Sequence, residues 1–93
     1  MTIGSVSKTI TAENVWSDEM AIFGKFNVSI SGISGDTVTV QRSIDNGALW
    51  KDVKEYTADK QESGEEIERG WIYRIGVKTG GYSAGTILAR LSF

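Results

Sequence analysis

The sequence predicts an all-β domain: a small antiparallel β-sandwich or barrel of about seven strands, immunoglobulin-like or jelly-roll-like in plan. Three observations carry this. Apolar residues recur with a period of two along most of the chain. Turn-forming residues separate these runs roughly every 8 to 12 residues. Finally, only Thr57 to Arg69 hints at a helix, and it holds Gly64 and a single strongly apolar residue, Ile67. At 93 residues the chain supports one core and not two, so residues 1–93 read as a single domain.

Each element follows from its pattern. Val6 to Thr11 and Met20 to Phe23 are short apolar runs separated by Glu13-Asn14 and Ser17-Asp18-Glu19. They read as edge strands within an N-terminal segment, residues 1–25, that is also the natural arm for reaching a neighbour. Phe26, Val28 and Ile30 alternate with Asn27, Ser29 and Ser31, and Val38 and Val40 alternate with Thr37, Thr39 and Gln41. The connector Gly32-Ile33-Ser34-Gly35-Asp36 reads as a hairpin turn that pairs these two strands directly. A further strand spans Trp50 to Tyr56, and the acidic Thr57 to Arg69 follows as a loop or a polar strand. Trp71, Tyr73, Ile75 and Val77 share one face of a central strand. Beyond the loop Thr79 to Gly85, Ile87, Ala89 and Leu91 mark the last strand.

Composition narrows the function. Hydrophobic residues make up 40% and charged residues 24%, an ordinary globular balance. The absence of cysteine removes thiolate chemistry, zinc ribbons and disulfides. The absence of histidine removes the usual general base and the commonest transition-metal ligand. No catalytic residue, metal ligand or cofactor site is expected. Without proline, exposed sheet edges must be blunted by lysines, by bulges or by a partner. All 12 acids lie in Met1 to Glu68, whereas Arg69 to Phe93 holds 4 bases and no acid. This skew is too weak for a nucleic-acid footprint. Met1 to Ala12 lacks the pattern of a secretory signal, and no run approaches the ~20 apolar residues of a membrane helix, so synthesis in the cytoplasm is expected.

The most specific local pattern is Ser43-Ile44-Asp45-Asn46-Gly47-Ala48-Leu49-Trp50. It resembles the Asp-box, S-x-D-x-G-x-T-W, of sialidase-like propellers and other β proteins, with Leu49 where threonine is usual. Ser43, Asp45, Gly47 and Trp50 are expected to build a turn: Asp45 accepts backbone N–H groups, Gly47 supplies positive φ, and Trp50 packs beneath the hairpin. One box in so short a chain cannot make a multi-bladed propeller, which excludes a sialidase. The acids Asp59, Glu62, Glu65, Glu66 and Glu68 lack calcium-loop spacing and read as a solvated face. Trp71 and Tyr73 are in register with Ile75 and belong to the core. Trp16, and Tyr82 in the glycine-rich loop, are the candidate interface residues, as protein anchors or as a sugar-stacking platform.

The runs Phe26 to Gly32 and Thr37 to Ser43, the box, Trp71 to Gly80 and the ending Ala89-Arg90-Leu91-Ser92 resemble small β-sandwich proteins of tailed phages and prophages. The likeness covers about two thirds of the chain, from Phe26 to Ser92. It implies a non-enzymatic virion component, foremost a head decoration or cement protein on the major capsid lattice. It also implies a homo-oligomer, most simply a trimer, found in the virion and in the host cytoplasm when synthesised. A tail or connector module and a carbohydrate-binding module with a glycan ligand are the alternatives. Neither nucleic acid nor membrane is an expected partner.

Overall fold

The computed structural model describes residues 4–93 and has nine strands: β1 (Ser5–Ile10), β2 (Val15–Trp16), β3 (Met20–Ala21), β4 (Gly24–Ser31), β5 (Val38–Ser43), β6 (Lys51–Tyr56), β7 (Lys60–Glu66), β8 (Ile72–Val77) and β9 (Ile87–Ser92). Two antiparallel sheets face each other. One has the order β1-β9-β4-β7; in the other β8 pairs with β5 on one side and with the short β2 and β3 on the other, and β6 forms the far edge. The fold is therefore the expected all-β sandwich, and β8 is an interior strand.

Alternation puts the core between the sheets. Phe26, Val28 and Ile30 of β4 and Ile87, Ala89 and Leu91 of β9 meet Val38 and Val40 of β5 and Tyr73, Ile75 and Val77 of β8, all buried. The rings of Phe26 and Tyr73 pack across the interface at 5.1 Å and a 56° tilt, a favourable aromatic geometry. Gly64 of β7 lies under Phe26: a Cβ there would sit 2.8 Å from the ring.

The expected direct pairing of the Phe26 and Val38 strands is corrected. β4 is flanked by β7 and β9, and β5 by β6 and β8, so these strands lie in different sheets. The connector arches across the sandwich because Asp36 ties it to the loop before β9. The buried Asp36 carboxylate accepts N–H bonds from Ser34 and Ala84, each at 2.9 Å, and from Ser83. Ser34 and Ala84 also form a bridge. The Thr57 to Arg69 stretch is also resolved: its polar-strand reading holds, as β7 pairs along its length with β4.

Every long edge strand carries a charge on its inward face. Lys8 of β1 stands opposite Ala89, Lys54 of β6 opposite Val40, and Glu62 of β7 opposite Val28. β6 is further disrupted by a bulge at Val53, where Val40 pairs with Lys54 and Gln41 with Asp52. Inward charges and bulges are recognised means of discouraging edge-to-edge pairing, so this proline-free chain blunts its edges with them. The N-terminal residues 5–10 are paired throughout with β9, and Ile10 is fully buried.

Candidate docking surface

The segment that resembles an Asp-box forms the turn between β5 and β6. The Ser43 hydroxyl donates to Asp45 Oδ1 at 2.6 Å and accepts the Gly47 N–H at 2.9 Å, while Leu49 N–H reaches Asp45 Oδ1 at 3.0 Å. Asn46 and Gly47 both take positive φ, 60° and 92°, where glycine and asparagine are the tolerant residues. The hydrogen bonds from Ser43 and Leu49 hold the Asp45 carboxyl below the usual carboxylate range. Trp50 lies back against the turn, 3.7 Å from where a Gly47 Cβ would be.

Of the acidic stretch, Asp59, Glu65 and Glu68 are exposed as expected, whereas Glu62 is partly buried and Glu66 buried. Glu66 is 3% exposed and links the sheets, its carboxylate accepting from Arg42 of β5 and from the Tyr73 hydroxyl of β8 at 2.6 Å. Burial pushes the Glu66 carboxyl up, but the Tyr73 and Arg42 bonds outweigh it and hold the group low. Burial and the same bond push the Tyr73 phenol up to about 12. Glu62 takes Lys54 at 2.8 Å and the Tyr56 hydroxyl at 2.6 Å, Glu68 takes the Trp71 indole N–H at 2.6 Å, and Asp59 takes the Ile33 N–H at 2.9 Å. The Glu62 and Glu66 contacts clamp strands of the two sheets together, while those of Glu68 and Asp59 fasten turns and loops. Among the described residues no group of three or more acids is placed to hold a metal ion.

Trp16 and Tyr82 do not come together as one platform. Trp16 lies over Gly76 of β8, where a Cβ would meet its Cε3 at 2.7 Å. Arg74 packs against the rings of both Trp16 and Trp50, at 4.1 and 4.2 Å, and its guanidinium also donates to Gln41. The network continues from Gln41 to Asp52 and from Asp52 to Lys78, bracing the outer face of the second sheet. Tyr82, in the glycine-rich loop, is half-buried against the core and donates its hydroxyl to the Gly85 carbonyl at 2.7 Å.

The surface best built for a partner lies at the end of the sandwich where Ala21, Phe23, the β7–β8 turn and Phe93 converge. A groove of about 340 Å³ opens there between Phe23, Trp71, Ile72 and Phe93. Phe23 and Phe93 are each nearly half exposed. Exposed Ile44 borders the groove, with its Cδ1 3.2 Å from where a Gly70 Cβ would be, and Ile67 in the same turn is 84% exposed. The Arg69 guanidinium lies 4.1 Å from the centre of the Phe23 ring. Contiguous exposed apolar side chains with an aromatic and an arginine are the usual makings of a protein contact. Sequence reasoning missed this surface because its residues come from four separate segments; the only linear signal was Phe23 and Ile67 standing outside any alternating run.

No family model matches the chain, and no curated protein matches it. Among solved structures it is similar to the crystal structure of Yersinia pseudotuberculosis-derived mitogen (YPM), with a TM-score of 0.54 and 18% identity over 98% of this chain and 84% of that one. At that identity the likeness is one of fold: both chains are small all-β proteins.

Proposed function

We propose that this chain is a non-enzymatic virion structural protein, a head decoration protein that docks on the major capsid lattice. The observation that carries the docking part is the apolar end of the sandwich, where half-exposed Phe23 and Phe93 line one groove that exposed Ile44 borders. The virion assignment rests on the sequence resemblance over Phe26 to Ser92. Guarded sheet edges favour contact through this end over strand addition. Self-association, most simply as a trimer, multiplies a modest contact over a repeating lattice and makes attachment durable.

Light scattering on the purified protein, followed by co-sedimentation with capsid shells lacking decoration, tests the proposal. The expected result is an oligomer that pellets with shells in fixed stoichiometry, and a Phe23→Ser variant that remains folded and stays in the supernatant. A wild-type monomer that ignores shells overturns it.

A further inference from the structure

We infer that the groove at the apolar end takes an apolar side chain flanked by a carboxylate, presented by a segment of the partner protein. This rests on the docking reading above and names the chemistry of what is docked.

The argument is one of shape and charge complementarity. The floor and walls of the groove are Ile22, Phe23, Trp71, Ile72 and Phe93, so its interior recognises hydrocarbon or an aromatic ring. At about 340 Å³ it lies near the lower limit of small-ligand sites and has ample room for an anchoring side chain. The charge at its mouth is Arg69, held in place by stacking on Phe23. Among the described residues Arg69 forms no salt bridge. The neighbouring acids are already engaged: Glu68 accepts the Trp71 indole N–H, and Glu66 is buried against Arg42 and Tyr73. A stacked guanidinium beside an apolar slot, with its donors unclaimed by a carboxylate, is suited to a carboxylate on the incoming segment.

The test uses three blocked dipeptides, N-acetyl-leucyl-aspartyl amide and its asparaginyl and lysyl counterparts, titrated into isotope-labelled full-length protein and followed by amide chemical shifts. The expected result is saturable shifts confined to residues 21–23 and 69–72, with the aspartyl peptide binding at least fivefold more tightly than the asparaginyl one and the lysyl peptide weakest. Arg69→Gln, an exposed substitution, removes that ranking while leaving the thermal midpoint unchanged. Scattered shifts, or equal affinity for the acid and its amide, overturn the inference. Shell co-sedimentation reads the parent proposal separately. If shells bind through Phe23 but the aspartyl preference is missing, only the carboxylate inference falls. If the aspartyl peptide binds but shells do not, only the capsid reading falls.

Discussion

Removing the Glu66 carboxylate tests how the two sheets are held together. Glu66 on β7 accepts from Arg42 and Tyr73 on the facing sheet, so Glu66→Ala leaves the buried Tyr73 hydroxyl without its acceptor and Arg42 without its counter-ion. An orphaned buried hydroxyl costs about 1–3 kcal/mol, and a hydrogen bond to a charged group contributes about 1.5–3 kcal/mol. The Arg42 side chain is 36% exposed, so water recovers much of its share. The expected loss is about 3 kcal/mol for Glu66→Ala and roughly half that for Glu66→Gln, which keeps the shape. For a domain of this size 3 kcal/mol lowers the thermal midpoint by roughly 12–24 °C. The pH dependence supplies the sharper readout. The folded-state carboxyl is held below its unfolded value, so its stabilisation is complete above about pH 4.3 and is lost as pH falls through the folded-state pKa. Urea unfolding followed by tryptophan fluorescence from pH 7 down to pH 3 measures the gap between wild type and Glu66→Gln. That gap should close on the acid side. A gap that stays constant across the range, or a Glu66→Gln protein as stable as wild type at pH 7, refutes the reasoning.

Asp36→Asn turns amide hydrogens toward the N–H donors of the arch; a loss of about 2 kcal/mol is expected, read as a lower urea midpoint with an unchanged slope. Gly76→Ala places a Cβ 2.2 Å from the Val15 carbonyl oxygen and 2.7 Å from Trp16, so β2 should be pushed off β8 at a cost of about 2 kcal/mol. Amide exchange at Val15 and Trp16 should rise far more than in the core. Ser43→Ala removes both hydrogen bonds of the buried hydroxyl in the Asp-box, lowering stability by about 1 kcal/mol and speeding exchange at Gly47 and Leu49.

The legible parts of this fold are those where one residue type repeats on one face. Phe26 to Ile30, Trp71 to Val77 and Ile87 to Leu91 declare strands and their inner faces because the alternation itself is what packing requires. The turn over residues 43–50 was equally plain, its hydrogen bonds closing within seven residues. Partner choice was not legible: a period of two reports which side chains face inward, not which strand lies alongside. Thus β4 and β5 looked like a hairpin, while the decisive contact, Asp36 with Ser83 and Ala84, spans 47 and 48 positions. β7 was legible only as a loop or a polar strand, for a related reason. Its inward positions are Glu62, Gly64 and Glu66, made acceptable by Tyr56, Lys54, Arg42 and Tyr73, and by the Phe26 ring over the glycine. The groove residues Phe23, Arg69 and Phe93 gather only once the chain is folded.

The inward charges on the edge strands bear on how the protein tolerates crowding. Lys8, Lys54 and Glu62 make it costly for one molecule to extend another's sheet, because an added strand would strip water from Lys8 and from the Lys54–Glu62 pair. Lys54 and Tyr56 hold the Glu62 carboxyl below the ordinary range, so this guard stays ionised under mild acidification. Copies at high local concentration are thereby discouraged from templating fibrils edge to edge.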